Sequence, residues 1–600
     1  MTPRAAPPGP PGASERTQGR LVAGAGVALL LFLLWRVRHG ADFGDGSYVV
    51  ALAVRVARGA EPLSEELSAH VLGSLPAVPV AWAWLQLVGT EGVVAAVRTA
   101  YVLLAALAGT VAYRALRTRI APAPAGFAVL AALLPTPYGL LVISYTTVPA
   151  LSLLVAVSAA FAALRSSGRA ATAWAVLSGA AAATAAVTHP ALLGGALALC
   201  LTVAALAHRA GGPRVVVGLA LGGGLVSVAL AAWVLLGPGP GAVVEAATLN
   251  AADQEEYASA VERWRRTAVR YREALVGWRY LPLALGVAWA TLTGLRLRGR
   301  HGPWRQHTLG LLLVLGWPVG VAVATLLGPA PRTTGATAAS LALLLAAVLL
   351  VPVAAGPARV DPDLRLLLLL SAPVALVGGA GAAWSTKATA FWGPQLPPVL
   401  PLYAVVLLAV LVAVGRTGWG AGVRTAVPVT VLASLALVQS LLTFRDDAPW
   451  DMTERISAGP QAGLRTHACY ADYDRSLRGV MQRWVPPDGT LLVHGKAAAY
   501  LYSTAEPVTP MLWTLRYGAA SQAVVDHLRE TGARPDAVLL ERYALDLAGG
   551  WGSPSLATDP LVRFLGEHYG EPVPDAMFLV FTTDPPAVVP PGVQPDAPSC

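Results

Sequence analysis

Long apolar runs dominate this chain and limit its possible folds more than any other feature. About thirteen runs of roughly 17 to 22 mostly apolar residues are separated by polar segments, and a helix of about 20 residues crosses the roughly 30 Å hydrocarbon layer of a bilayer. Only 13% of the 600 residues are charged and 55% are hydrophobic, whereas soluble domains carry about 25% charged residues. The chain is therefore predicted to be an α-helical polytopic membrane protein.

The predicted membrane helices follow these runs. They are 21–37, 92–113, 123–142, 148–164, 172–188, 191–207, 215–236, 280–295, 308–328, 336–355, 366–384, 398–415 and 427–443. Residues 1–20 are rich in proline and glycine, which predicts a disordered cytoplasmic tail. The first run is predicted to be a retained helix, because no small-x-small cleavage site of a signal peptide follows it.

The short loops alternate between arginine-containing and arginine-poor sequences. The first set lies near 114–119, 165–169, 209–214, 296–305, 359–365 and 416–424, and the second near 143–147, 189–190, 329–335 and 385–397. Because cytoplasmic loops collect arginine and lysine, the first set is predicted to be cytoplasmic. The N-terminus is then inside and residues 444–600 are outside, with Arg36 and Arg38 as a local exception on the outer side.

Three polar segments are expected on the exoplasmic side: 39–91, 237–279 and 444–600. The second has aromatic and apolar residues at spacings of four and three with five arginines between them. This stripe is typical of an amphipathic helix that lies at the lipid interface or packs on the next domain. The third segment alternates short β-rich runs with helical patterns, which predicts a small α/β domain after a transmembrane domain at 21–443.

An acidic stretch directly follows the first predicted helix. Asp42 and Asp45 stand in the sequence HGADFGDGSYVV, and three glutamates follow within about twenty residues. A helical pattern runs from Ser47 to Arg58 and is stopped by Gly59, so Asp45 is suited to cap this helix, with Asp42 in the preceding turn. Capping alone would explain an aspartate at this position in an ordinary soluble protein.

The order of motifs after the first helix resembles the GT-C superfamily of membrane glycosyltransferases, which includes protein O-mannosyltransferases and aminoarabinose transferases. Many members carry a pattern like D-E-x-Y-Y followed by A-x-x-(hydrophobic)-x-x-G-x-x-P-Y-x-D. The matching residues here are Asp45, Gly46 and Tyr48, then Ala53 through Gly59, then Glu61, Pro62, Leu63 and Glu65. Gly46 and Leu63 depart from the usual Glu and Tyr, which leaves open an inactive or differently specialised member. The resemblance covers about residues 20–210 by motif and the rest by architecture.

The resemblance implies transfer of a sugar from a polyprenyl-phosphate carrier to an acceptor at the outer membrane face. Such a reaction needs a carboxylate as general base for the acceptor hydroxyl and a cation for the departing phosphate. We expect Asp45 to be the base, with Asp42 as the first alternative and Glu65 as a second carboxylate.

The candidates for binding the donor phosphate share a position near the outer ends of helices, where a charge is costly unless it is used or paired. They are Arg98, His189, Arg332 and Lys387. Arg98 could instead snorkel from its helix end toward the membrane surface. The competing interpretation of His189 is a structural role at a helix terminus.

The resemblance also indicates the ligands and partners. Some members of this superfamily use a divalent cation, so the resemblance leaves open whether this protein binds one. No dense carboxylate cluster in the sequence requires it. The expected partners are a polyprenyl-phosphate sugar donor, an envelope glycan, lipid or protein acceptor, and membrane lipids. The net charge of +9 is explained by cytoplasmic loops and does not call for nucleic acid.

Two other functions compete with glycosyl transfer. A multi-pass transporter or lipid flippase would place polar groups near the midplane of broken helices, whereas charged residues within the predicted spans are sparse here. A non-catalytic GT-C-like envelope assembly protein would use the C-terminal domain to bind partners, and the Gly46 departure is compatible with it.

Overall fold

The computed structural model describes residues 13–269, 361–437 and 448–583 with short gaps. The gaps are 69, 211, 256–258, 260, 267–268, 386–395, 416–424, 427, 431, 435 and 514–516. The predicted helices 280–295, 308–328 and 336–355, part of 427–443, and the candidates Arg332 and Lys387 lie outside the described residues.

Helices make up nearly all of the first described range. They are α1 (Ala13–Arg36), α2 (Asp45–Ala57), α3 (Val71–Ser74), α4 (Val78–Leu87), α5 (Val93–Leu116), α6 (Pro122–Ala132), α7 (Thr147–Arg165), α8 (Gly168–Thr188), α9 (Leu193–Arg209), α10 (Pro213–Leu236) and α11 (Gly239–Glu255). The second range contains α12 (Pro362–Pro373), α13 (Gly379–Ser385) and α14 (Leu396–Gly415), with a π-helical turn at Val374–Gly378 joining the first two.

Seven helical segments of the described part are long and apolar enough to cross a membrane, namely α1, α5, α7, α8, α9 with the turn before it, α10, and α12 with its continuation. Helices suit this environment because their backbone groups are hydrogen-bonded within the segment. The chain is thus a mostly helical, multi-pass membrane protein, as predicted. The expected number of about thirteen helices stays a prediction.

Small residues let neighbouring helices approach closely. A Cβ atom added at Gly179 of α8 would meet the carbonyl oxygen of Leu219 in α10, and one added at Gly222 of α10 would meet that of Val176 in α8. Close backbone contact through glycine is a common way for membrane helices to associate, since lipid provides little hydrophobic drive between them.

Two predicted boundaries were wrong. Helix α1 begins at Ala13, so the expected disordered tail at 1–20 is already helical in its last eight residues. Helix α6 ends at Ala132 and not at residue 142, because Pro135 and Pro137 lack the N–H groups that a continuing helix needs. The apolar residues 133–143 instead form a buried non-helical segment and a short turn.

The three polar segments contact one another on one face of the helices. The backbone N–H of Gly40 donates to Arg465 O at 2.8 Å, and that of Gly92 donates to Gly459 O at 2.9 Å. Asn250 at the end of α11 donates from its side chain to Leu67 O at 2.8 Å. Segments 39–91, 237–255 and 448–583 therefore lie on the same side of the membrane.

Arginine-containing loops meet at the opposite ends of the helices. Arg165 forms an ion pair with Asp363 at 2.7 Å, and Arg119 donates to Arg165 O at 3.3 Å. Three loops of the first set, near 114–119, 165–169 and 359–365, therefore lie together. Which of the two faces is cytoplasmic stays a prediction.

The C-terminal segment contains a mixed five-stranded sheet, as expected for the predicted α/β domain. Strands β1 (Glu454–Arg455) and β2 (Arg465–Thr466) form a separate pair. The sheet has the order β4 (Glu506–Pro507), β3 (Thr490–His494), β5 (Ala537–Glu541), β7 (Phe578–Thr582), β6 (Val573–Asp575). Strand β3 is parallel to β4 and β5, and β7 is antiparallel to β5 and β6.

Five helices accompany this sheet: α15 (Ala468–Trp484), α16 (Ala519–Thr531), α17 (Arg542–Leu547), α18 (Pro554–Ala557) and α19 (Pro560–His568). In α15, Leu477, Val480, Met481 and Trp484 are buried, as their spacing predicted.

Candidate functional site

The turn between α1 and α2 is organised by the carboxylate of Asp42. One oxygen accepts the backbone N–H of Gly44 at 2.8 Å and the other accepts that of Gly46. Asp42 is 3% exposed, and these N–H groups at the start of α2 have no partner within the helix. The competing interpretation of Asp45 as the helix cap does not match the structure: Asp45 is the first residue of α2 and Gly44 is the cap position. Asp42 lies in the preceding turn, as that interpretation placed it, and accepts the N–H groups of Gly44 and Gly46.

Gly46 is required by the position of Asp42. A Cβ atom at residue 46 would collide with the Asp42 carboxylate and contact Leu140 at 3.5 Å. A glutamate, the usual residue of the resembled pattern, cannot occupy position 46 while Asp42 keeps this conformation. The departure at Gly46 therefore has a local steric cause.

Residues from the C-terminal domain hold the same turn. The side-chain N–H of Gln461 donates to Asp42 O at 3.1 Å and to the Ser47 hydroxyl at 2.6 Å. The Ser47 hydroxyl donates to Asp42 O. Both Gln461 and Ser47 are fully buried, so the start of α2 and the C-terminal domain form one hydrogen-bonded unit.

A small cavity of about 20 Å³ lies beside the turn. Its charged lining comes from Asp42, Arg98 and Arg36, and backbone from 139–142 closes it. Arg98 is 7% exposed and donates to Gly40 O at 2.6 Å. A space of this size holds about one water, so Arg98 here meets the Asp42 turn and not a phosphate-sized space. Its role as a phosphate ligand stays a prediction.

His39 also lines this cavity and is expected to be neutral at pH 7. Burial lowers the pKa of His39 below its usual range, and the charges of Arg36 and Arg465 lower it further. Its Nδ1 is 3.0 Å from Trp35 O, which fixes the proton on that nitrogen when the ring is neutral.

Asp45 has a different environment from Asp42. Its side chain is half-buried at the first turn of α2, and it is not among the residues that line the small cavity. The partial positive charge of a helix N-terminus favours an ionised carboxylate at this position. Asp45 is thus partly exposed at the start of α2, whereas the Asp42 carboxylate is buried in the turn.

The adjacent glutamates Glu65 and Glu66 have opposite environments. Glu65 is exposed and accepts the N–H of Glu61 at 3.0 Å. Glu66 is fully buried, pairs with Arg55 at 2.7 Å, and accepts the N–H of Leu512 at 3.2 Å. Burial raises the pKa of Glu66, and the Arg55 charge and backbone donors oppose that rise.

Arg55 joins the same network to the C-terminal domain. It donates to Glu65 O at 2.8 Å and to Thr509 O at 2.9 Å in addition to Glu66. Buried ion pairs are stable when such further hydrogen bonds satisfy both partners. The network therefore fixes the far end of α2, while Asp42 fixes its start.

A row of aromatic side chains connects α2 to the end of α8. The Tyr48 hydroxyl is 2.6 Å from Ser68 Oγ and 3.4 Å from His70 Nδ1. The His70 ring stacks on Tyr145 with centroids 3.9 Å apart, and Tyr145 lies 6.1 Å from His189. His189 is 9% exposed, and its Nδ1 makes no hydrogen bond. The predicted residue His189 is thus near Tyr145, which in turn stacks on His70.

The structure brings together only part of the predicted site. Asp42, Asp45 and Arg98 lie around the start of α2, Glu65 lies near its far end, and His189 lies at the end of the aromatic row. Within the described ranges, no group of three or more His, Cys, Asp or Glu residues is arranged to hold a metal ion. The requirement for a divalent cation stays untested.

Sequence inspection missed Gln461, His70 and the partnership of Arg55 with Glu66. Gln461 is separated from Asp42 by more than 400 residues and belongs to no motif. An Arg or Glu inside a largely apolar stretch is a usable signal, because a buried charge needs a partner.

Comparisons with known proteins give distant structural neighbours. No protein-family model matches the chain, and no curated protein matches it. Among solved structures, it is similar to the oligosaccharyltransferase AglB from Archaeoglobus fulgidus in complex with an inhibitory peptide and a dolichol-phosphate, with 13% identity, a TM-score of 0.44, and coverage of 93% of this chain and 72% of that chain.

A second neighbour is ArnT from Cupriavidus metallidurans bound to undecaprenyl phosphate, with 16% identity, a TM-score of 0.40, and coverage of 96% of this chain and 100% of that chain. Both neighbours are GT-C superfamily membrane glycosyltransferases, the superfamily that the motifs of this sequence resemble. Likenesses at these scores and identities assign neither an activity nor site residues, which must be argued from the chain itself.

Proposed function

We propose that this protein is a membrane glycosyltransferase that moves a sugar from a polyprenyl-phosphate carrier to a cell-envelope acceptor at the exoplasmic face. The observation that carries the proposal is the half-buried Asp45 at the start of α2, on a turn fixed by Asp42 and Gln461. This turn lies on the face where the three polar segments meet. A catalytic carboxylate needs such a rigid support.

In the proposed reaction, an acceptor hydroxyl attacks the anomeric carbon of the donor sugar. The bond from this carbon to the acceptor oxygen forms, the bond to the phosphate oxygen breaks, and polyprenyl phosphate leaves. Asp45 takes the hydroxyl proton as general base. Asp42 is less suited to that role, because both of its oxygens already accept backbone N–H groups of the turn.

The side chains proposed to face the donor phosphate have different roles. Arg98 positions the turn through Gly40 O. Among the residues that the structure describes, His189 is the proposed hydrogen-bond donor to the phosphate, because its Nδ1 makes no hydrogen bond within the protein. Arg332 and Lys387 remain candidates of the same kind. Glu65, predicted as a second carboxylate, lies near the far end of α2 and is not assigned a role in the transfer at Asp45.

The test is turnover of Asp45→Asn with purified protein, a polyprenyl-phosphate sugar and an acceptor. Because Asn has nearly the same shape as Asp and caps helices about as well, this variant is expected to unfold like wild type. Its rate is expected to fall by about 10² to 10⁴, the usual effect of losing a general base.

A matched control is Asp472→Asn, which changes an exposed aspartate of the C-terminal domain and is expected to leave turnover unchanged. Full turnover of Asp45→Asn would remove the base assignment. If wild-type protein transfers no sugar from any polyprenyl-phosphate donor, the non-catalytic assembly function replaces the proposal.

A further inference from the structure

A second, larger cavity lies between the far end of α2 and the C-terminal sheet. Its volume of about 660 Å³ is within the range of about 300–1,000 Å³ that is typical of ligand sites. Residues of α2, of the segment that follows it, of β4 and of α16 line this cavity. Along α2, Arg58 is 13 residues from Asp45, a distance of about 20 Å.

The charges that line this cavity do not favour an anion. Arg58 contributes one positive charge, while Glu65 and Glu506 contribute two negative charges. Arg55 is already neutralised by Glu66 at 2.7 Å. A phosphate group, and therefore the head of the donor lipid, would be repelled by the net charge.

The polar groups of the cavity suit hydroxyl groups instead. The exposed carboxylates of Glu65 and Glu506 can accept hydrogen bonds from hydroxyls, and the Arg58 guanidinium can donate them. Burial lowers the pKa of His527, so at pH 7 its neutral ring both donates and accepts. Apolar side chains complete the lining, as they do where sugar rings pack.

A peptide strand is disfavoured at the sheet edge that borders the cavity. Strand β4 is the edge strand, and its Glu506 and Val508 N–H groups donate to Gly489 O and Leu491 O on the β3 side. The outward position is Pro507, which has no N–H, and the Ala505 N–H donates to Ser503 Oγ. A proline on an edge strand prevents pairing with a further strand.

We propose that this cavity, the α2–sheet cleft, binds a neutral oligosaccharide. The inference rests on the proposed function: the bound glycan is the acceptor, held several sugar units away from the hydroxyl that reacts at Asp45. The cleft then selects the acceptor, and the start of α2 performs the transfer.

The experiment uses the full chain in nanodiscs and an array of neutral oligosaccharides, acidic oligosaccharides and peptides, followed by titration calorimetry with the tightest ligand. We expect neutral oligosaccharides to bind. Ala533→Trp, which fills the cleft, is expected to weaken binding at least about tenfold, and Glu506→Gln about tenfold through loss of one charge-assisted hydrogen bond.

The matched controls are Ala557→Trp and Glu571→Gln, which change exposed residues of the same domain away from the cleft and should bind like wild type. Binding only to peptides or acidic glycans, or equal binding by the cleft variants and their controls, overturns the inference.

The Asp45→Asn variant separates this inference from the proposed function. It should bind the oligosaccharide like wild type while turnover is lost. Lost turnover in Asp45→Asn, together with unaffected binding in both cleft variants, would reject the cleft and keep the transferase. Lost binding in the cleft variants with full turnover in Asp45→Asn would keep the cleft and reject the base.

Discussion

The steric exclusion between Asp42 and residue 46 can be measured by a double-mutant cycle. In wild type, the Asp42 carboxylate accepts the N–H groups of Gly44 and Gly46 and fills the space beside residue 46. Asp42→Ala removes both hydrogen bonds. Losing a cap costs about 0.5–2 kcal/mol, and leaving buried donors unsatisfied costs about 1–3 kcal/mol. We expect a loss of about 2–4 kcal/mol in the free energy of unfolding.

Gly46→Ala should cost a similar amount by a different route, because the new methyl group expels the Asp42 carboxylate from its two donors. In the Asp42→Ala background, the carboxylate atoms nearest to the new methyl group are gone, and the next neighbour, Leu140 at 3.5 Å, makes an ordinary van der Waals contact. The double variant should therefore be little worse than Asp42→Ala alone. The interaction energy then has the size of the Gly46→Ala loss, about 2–4 kcal/mol, at or above the upper part of the range found for residues in direct contact.

The measurement is the free energy of unfolding of the four proteins in mixed detergent micelles, with helical content as the signal. Asp45→Asn is the matched control, because it alters a nearby aspartate whose replacement by the similarly shaped Asn preserves any helix-capping hydrogen bond; we expect a change below about 0.5 kcal/mol. Additive losses in the cycle, or a loss in Asp45→Asn equal to that in Asp42→Ala, would refute the reasoning.

Three further predictions test other parts of the structure. Glu66→Ala should lower the free energy of unfolding by about 3–5 kcal/mol, because it leaves the buried Arg55 without its ion-pair partner. Glu65→Ala, at the exposed neighbour, should lower it by less than about 0.5 kcal/mol. Equal losses in the two variants would contradict the Arg55–Glu66 assignment. Because burial lowers the pKa of His39, the unfolded state binds the proton more tightly, so stability should fall as pH drops below about 6.5, and this fall should be smaller in His39→Asn than in wild type. If residues 444–600 are exoplasmic, a membrane-impermeant maleimide should label Cys469 in intact, reduced cells that express the Cys200→Ser, Cys600→Ser variant. Labelling only after lysis would place this domain in the cytoplasm.

The sequence predicted those parts of the fold that depend on local pattern. Apolar runs near 20 residues predicted α5, α7, α8, α9 and α10 to within a few residues, because the bilayer thickness sets the helix length. The run at 123–142 failed: it is apolar throughout, but its two prolines stop the helix at Ala132. Hydrophobicity alone does not separate a spanning helix from a buried non-helical segment.

The candidate site was less predictable, because contacts distant in the sequence decide its geometry. Asp42 and Asp45 are equivalent in sequence as acidic residues before a helix. The Gly40 turn, Arg98 and Gln461 give Asp42 the capping position and leave Asp45 half-buried. For the same reason, sequence alone could not distinguish Glu65 from Glu66, since their environments depend on contacts with residues 509–512.

The exclusion between positions 42 and 46 also explains how this chain departs from the resembled D-E-x-Y-Y pattern. An acidic side chain at position 46 and the Asp42 carboxylate would occupy the same space next to the small cavity.

Gly46→Glu alone should therefore expel Asp42 and destabilise the protein by at least as much as Gly46→Ala. The double variant Asp42→Gly, Gly46→Glu removes the carboxylate that the new side chain would meet. We expect this double variant to be more stable than Gly46→Glu and to transfer sugar faster than it, because the collision at the turn that carries Asp45 is relieved. Unfolding free energies and turnover of the three proteins decide the matter. A double variant no more stable than Gly46→Glu would show that Asp42 supports the turn by its backbone position and not through the space that it shares with residue 46.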